Sequence, residues 1–344
     1  RLPFAQGESP PTIALPEGYS SAVLLAAQPD VPGAWLALAS WCRARSIRRF
    51  DAHTQTLEES DLSPAGKFDG PPGFVSTEVM VKSHDGVLVP LTIVHRQDLE
   101  LDGSHPVLLS GYGAYGFSVP VNYSPLQLAW LERGGIFARA HVRGGGEFGK
   151  EWHLAGQKAT KPNTWKDFIA CAEYLVAHRY TSPGKLAGAG GSAGGILIGR
   201  SITEHPDLFG AALVEVGVLD ALRMETTTNG VPNIQEFGSV ATRPGFDALL
   251  AMSALHHVRD GVKYPAVLLT HGINDHRVEP WMSAKMTARL QAATASGKPI
   301  LLRIDYAAGH GASLGATKEQ ALAQLADQWS FLLWQFGDPA FQPK

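Results

Sequence analysis

The spacing of apolar residues changes near residue 74. Before it, residues 34–39 (AWLALA) and 46–51 (SIRRFD) are short strand-like runs separated by residues 41–45 and followed by the polar stretch 52–61 (AHTQTLEESD). Strand, turn, strand and polar turn predict a β-meander. Residues 64–73 (PAGKFDGPPG), dense in Pro and Gly, predict a linker. A few strands bury too little to stand alone, so this appendage must pack on something. No repeat completes it into a propeller within the chain.

Beyond residue 74 strands and helices alternate. Residues 86–96 (GVLVPLTIVHR) place Val87, Val89, Leu91, Ile93 and His95 on one face, which predicts a half-buried strand. The compact apolar runs 106–109, 136–142, 211–218, 266–270 and 300–304 have the character of buried parallel strands. Between them, Trp165, Phe168, Ile169, Ala172, Leu175 and Val176 recur at helical spacing over 164–178, with Pro162 and Thr164-x-x-Asp167 as a start signal. Segments 193–204, 281–296 and 317–335 are further helices by the same reading. The alternation predicts an α/β fold, a doubly wound and mostly parallel sheet with a small N-terminal β appendage. Residues 1–72 form the appendage and linker, and 73–344 the α/β domain. Such sheets carry their chemistry at the carboxyl ends of the strands.

Composition narrows the partners. Lys+Arg is 29 against Asp+Glu 32, a net charge of −3, so no basic excess neutralises phosphates. No nucleic-acid partner and no membrane are expected. The apolar stretches, such as 22–27 and 300–302, fall far short of the ~20 residues of a spanning helix. Cys42 and Cys171 alone cannot make a disulfide scaffold or a cysteine zinc site. The chain opens on Arg1 with no signal-like segment before Pro3, so the natural start is expected upstream, and cytoplasmic or periplasmic placement both fit.

The sharpest local signal is GAGGSAGG at 188–195, which holds G-x-S-x-G around Ser192. A short strand precedes it and Ile196, Leu197 and Ile198 open a helix after it, the context of a nucleophile elbow. Serine needs a base and an orienting acid. Asp275 follows strand 265–270, and His310 follows strand 300–305 between Gly309 and Gly311. The order Ser192, Asp275, His310 is that of α/β-hydrolases. A glycine-rich strand-to-helix turn also binds phosphate. Gly188-x-Gly190-x-x-Ala193 fits the loose dinucleotide fingerprint and Gly144-x-Gly146-x-x-Gly149 the strict one. Two matches in one chain show how easily glycine-rich sequences produce them, and the ordered acid and base favour the hydrolase. His256-His257 and the pair His271/His276 lack carboxylates at metal spacing, so no metal site is expected.

Residues 74–337 resemble the catalytic domain of the prolyl oligopeptidase family of α/β-hydrolases. The resemblance rests on LDGSHPVLLSGYGAYG (101–116), HVRGGGEFGKEWH (141–153), KPNTWKDFIACAEYL (161–175), GGSAGG (190–195), NDHRVEP (274–280) and AGHG (308–311). Residues 34–62 are similar to the last blade strands of that family's propeller, most of which this chain lacks; it is either a fragment or a reduced form. The resemblance implies Ser192 as nucleophile, Asp275 as orienting acid and His310 as general base. It implies an oxyanion hole from the Tyr112 hydroxyl and the Ala193 amide, and Arg277 as holder of a substrate carbonyl. It also implies that residues 143–147, which match a family signature, support the site structurally. Asn233 falls where prolyl-specific members carry a stacking tryptophan. Tyr115, Asn233 and Phe237 are then candidate substrate-binding residues, with Phe237 a source of aromatic surface and Glu236 a substitute for the acid of the branch specific for basic residues. The resemblance implies a serine peptidase acting on short peptides without metal or organic cofactor. A carboxylesterase and a non-catalytic interaction fragment are the alternatives. An uncovered apolar surface beside the missing propeller implies a homo-oligomer, expected as a dimer.

Overall fold

The computed structural model describes residues 12–64, 66–311 and 316–343. Its backbone divides into two units, Arg1–Ser76 with Pro120–Glu132, and Thr77–Val119 with Arg133–Lys344. The first holds an antiparallel sheet in chain order: β1 (Ser21–Gln28), β2 (Val31–Ala39), β3 (Ser46–Asp51) and β4 (Thr56–Glu59). It also holds the short helix α1 (Leu128–Leu131). The polar stretch expected as a turn contains β4, because alternating side chains opposite β3 find charge partners. Arg48 faces Glu59 in register, and their side chains meet at 2.8 Å. The expected two strands become four, with β1 formed by the apolar stretch 22–27, where Val23, Leu24 and Leu25 stay exposed.

The second unit is built on an eight-stranded sheet. Its strands are β5 (Phe74–Lys82), β6 (Leu88–Arg96), β7 (Val107–Ser110), β8 (Ile136–Ala140), β9 (Leu186–Gly191), β10 (Ala211–Glu215), β11 (Ala266–Gly272) and β12 (Ile300–Asp305). Their order is β12-β11-β10-β9-β7-β8-β6-β5. From β8 to β12 the pairings are parallel, and β6 joins β8 antiparallel. Around the sheet lie α2 (Lys150–Leu154), α3 (Pro162–Ala177), α4 (Gly194–Glu204), α5 (Ala221–Met224), α6 (Ile234–Phe237), α7 (Arg243–Met252), α8 (Trp281–Ala293) and α9 (Lys318–Gln335). One apolar cluster spans the sheet, from Val89, Leu91 and Ile93 through Leu109 and Ile136 to Val267 and Leu269. A second, around Trp165, Ile196, Phe237, Leu249 and Met282, lies beside the carboxyl ends of the central strands.

Two local expectations are corrected. β6 is buried on both faces rather than one, since Pro90, Thr92 and Val94 are covered as well as Val89, Leu91 and Ile93. Thr92 tolerates this because its hydroxyl is 2.9 Å from His141 Nε2. Thr164 and Asp167 do not start α3. Lys161 is its N-cap with no side-chain cap bond, and Pro162 begins it. Thr164 instead donates to the Arg143 carbonyl at 2.7 Å, and Asp167 is buried against Arg143. A long-range ion pair has taken the carboxylate that the local motif would have used for capping.

Candidate active site

β9 ends at Gly191 and α4 begins at Gly194, so Ser192 occupies the reversal between them. Its φ is +54°, a left-handed conformation that is costly for a residue with a Cβ. The main chain over-determines it. Ser192 N donates to Glu215 O at 2.9 Å, and Val218 N and Gly195 N each donate to Ser192 O at 2.9 Å. Glycine at 195 is what lets the turn close. A Cβ there would stand 2.5 Å from Gly217 Cα.

Asp275 and His310 come from the ends of β11 and β12. His310 Nε2 is 3.0 Å from Ser192 Oγ, and His310 Nδ1 is 2.7 Å from Asp275 Oδ2. The other carboxylate oxygen, Oδ1, accepts from Arg277 N at 2.8 Å and Val278 N at 3.0 Å. Burial alone would raise the Asp275 carboxyl, but the hydrogen bonds from His271, His310 and the Val278 N–H hold it well below the usual range. It is therefore ionised at neutral pH and orients the imidazole with Nε2 toward the serine. The sequence considers His271 only as a metal ligand and gives it no part in the triad; its Nε2 is 3.3 Å from Asp275 Oδ2 and 2.8 Å from Val278 O. The available signal was its place four residues before the acid, at the carboxyl end of a fully buried strand. Among the described residues no group of three or more His, Cys, Asp or Glu is placed to hold a metal.

Tyr112 lies just past β7, and its ring packs against the first turn of α4, where a Cβ at Gly194 would stand 3.6 Å from Tyr112 Cδ2. Burial raises its phenol above the ordinary value, so it stays a neutral donor. Ala193 is the N-cap residue of α4, where no helical carbonyl lies behind its amide. Beside these groups a cavity of about 300 Å³ opens, lined by Tyr112, Tyr115, Ser192, Val218, Met224, Asn233, Arg277 and Met282 among others. Asn233 is part of this wall, and its amide is already engaged. Its Oδ1 accepts from the Tyr115 hydroxyl at 2.9 Å, and its Nδ2 donates to Asn229 O at 2.8 Å.

Two expected pocket residues face elsewhere. Phe237 is fully buried in the second apolar cluster, edge-on behind Tyr115 with ring centres 5.5 Å apart, and does not line the cavity. Glu236 is also buried. It accepts the Tyr115 N–H at 2.8 Å and lies 2.7 Å from His153 Nε2, so it offers no carboxylate to a basic substrate. Within residues 143–147, Arg143 ties Asp85 and Asp167 together, and its carbonyl accepts from Thr164.

Residues 121–339 match the sequence model of the prolyl oligopeptidase family. The chain is 40% identical over 275 residues to the prolyl endopeptidase of Elizabethkingia meningoseptica, covering 80% of this chain and 39% of that protein. It thus spans about two fifths of the length of this curated relative. Prolyl oligopeptidase B from Galerina marginata, solved with a 35mer hydrolysis and macrocyclization substrate, superposes with a TM-score of 0.86 at 35% identity, over 94% of this chain and 45% of that one. Oligopeptidase B from Leishmania major superposes with a TM-score of 0.85 at 29% identity, over 94% and 46%. The match of the family model over residues 121–339, with 40% identity across 80% of the chain, places it in the prolyl oligopeptidase family.

Proposed function

We propose that this protein is a serine peptidase that cleaves short peptides through an acyl-enzyme on Ser192. The observation that carries the reading is the pair of hydrogen-bond distances joining Ser192, His310 and Asp275 at a left-handed strand-to-helix turn. His310 Nε2 takes the serine proton as Oγ attacks the scissile carbonyl. The carbonyl oxygen becomes an oxyanion held by the Tyr112 hydroxyl and the Ala193 N–H. The tetrahedral intermediate collapses, and the imidazolium protonates the departing amine. Water, deprotonated by His310, then releases the acyl group and restores the serine. Arg277 is exposed at the rim of the cavity, where its guanidinium can hold a main-chain carbonyl of the substrate.

The acyl-side pocket lacks a flat ring at position 233, and the engaged Asn233 amide offers none. Proline gains no stacking there, so selectivity for it is weak. The same triad cleaves activated esters, and the ratio of turnover on a p-nitrophenyl ester to that on a matched peptide anilide measures how far the protein leans toward esterase chemistry. Self-association belongs to the same proposal, supported by the exposed apolar run along β1, and light scattering at micromolar concentration reads it against the 36.8 kDa of one chain. A fluorophosphonate probe tests the central reading. Wild type labels and turns over; Ser192→Ala does neither, losing roughly 10⁴-fold or more in kcat. Undiminished turnover by Ser192→Ala would remove the mechanism.

A further inference from the structure

Beneath the turn that carries Tyr112 and Tyr115 lie two ionisable side chains that the chemistry above leaves unused. Lys161 is fully buried, and its ammonium donates to the Gly113 carbonyl while lying 5.5 Å from the centre of the Phe237 ring. Glu236 is 4% exposed; Oε1 accepts the Tyr115 N–H at 2.8 Å, and Oε2 accepts from Gln157 Nε2 at 3.2 Å and pairs with His153 Nε2 at 2.7 Å. The two main-chain groups on either side of Ala114 are therefore gripped from below, one by a cationic donor and one by an anionic acceptor.

The turn needs such restraint. Gly113 has φ +71° and Tyr115 φ +60°, and a tyrosine in that region is strained. Apolar packing alone fills space but leaves the Gly113 carbonyl and the Tyr115 N–H unmet, and it does not fix a turn's rotation. Charged groups bonded to the main chain do both, and burial makes those bonds stronger and more directional. The rotation of this turn sets where both rings sit in the cavity wall that they share with Ser192, and with it the reach of the Tyr115 hydroxyl to Asn233.

We propose that Lys161 and Glu236 are positioning residues, an oppositely charged clamp on residues 113–115 that holds the Tyr112 hydroxyl where the oxyanion forms. The proposal rests on the hydrolase reading and on Tyr112 as an oxyanion donor. Lys161 and Glu236 touch no substrate; they act through the tyrosine.

A double-mutant cycle tests this. Lys161→Met and Glu236→Gln are each measured on a peptide anilide in the wild-type and Tyr112→Phe backgrounds. With Tyr112 present, each should lower kcat roughly 10- to 100-fold and leave KM within about threefold, because part of a transition-state hydrogen bond is lost. With Tyr112→Phe, the further loss should be under about threefold, since residues acting through one group are not additive. Equal losses in both backgrounds would show a merely structural role and overturn the clamp. Glu236→Gln preserves volume, so it carries the test should Lys161→Met fail to fold. An unchanged kcat in Tyr112→Phe alone would sink the oxyanion assignment and the clamp with it, while Ser192-dependent labelling would still stand. Absence of Ser192-dependent turnover in the parent protein would remove the hydrolase reading and the clamp together.

Discussion

Replacing Arg143 by methionine would leave a carboxylate stranded in the interior. Arg143 Nε and Nη2 bond the two oxygens of Asp167 at 2.9 and 2.6 Å, and Nη1 reaches Asp85 at 2.5 Å. Side-chain exposure is 4% at Arg143, 0% at Asp167 and 36% at Asp85. Without the guanidinium, Asp167 keeps, among the described residues, the Ser83 hydroxyl at 2.6 Å and the main-chain N–H of residue 143 at 3.0 Å. Asp85 rehydrates, so little is lost on that side. Breaking a buried pair from one end costs about 3–5 kcal/mol, most of it the unpaired charge rather than the pair's own worth. The double variant Arg143→Met with Asp167→Leu removes that charge and fills the space. It should recover at least half of the loss, and the Ser83 hydroxyl retains His84 Nδ1 at 3.2 Å. Urea denaturation followed by tryptophan fluorescence reads the result as a shift in midpoint at unchanged slope. A double variant as unstable as the single one would show that the guanidinium's packing, not charge compensation, is what the fold requires.

Tyr112→Phe should lower kcat by about 10²–10³ with little change in KM, the loss of one oxyanion donor, measured by steady-state kinetics on a peptide anilide. Asp85 is lowered from 3.8 to about 2, chiefly by its hydrogen bonds to Arg143. A depressed folded-state value gives stability that is present above the unfolded value and lost as pH falls through the folded one. Asp85→Asn should therefore destabilise at pH 7 and make no difference below pH 2, and equal effects at both ends would refute the assignment. For paired substrates differing only in proline or alanine on the acyl side, kcat/KM should differ by less than about tenfold in the wild type and rise for proline in Asn233→Trp. A hundredfold wild-type preference would mean that another side chain supplies the stacking face.

The doubly wound sheet was legible because its buried parallel strands, such as 211–215 and 266–272, are apolar throughout and are bracketed by helical patterns. The triad was legible because chain order and strand ends restrict which Asp and His can reach Ser192. What escaped depends on partners distant in sequence. Thr92 is polar, so β6 read as half-buried, yet His141, 49 residues on, satisfies it. Asp167 sits in a capping signature, but Arg143, 24 residues earlier, claims its charge. Asn233 and Phe237 stand four residues apart, one turn of helix. That spacing suggests a shared face, but Asn233 reaches the cavity wall while Phe237 packs behind Tyr115.

The strand order also sets when reactivity can arise during synthesis. Ser192 follows β9 at the middle of the sheet, whereas His310 follows β12 at its edge, 118 residues later. At ~5–20 residues per second a ribosome needs about 6–24 s to span that interval. Throughout it the serine is an ordinary hydroxyl with no base to take its proton. The last parallel pairing, β12 onto β11, is thus an arming step. Under the proposed peptidase activity, nascent chains, whose unfolded segments are the peptides most open to cutting, emerge beside a nucleophile that cannot yet act.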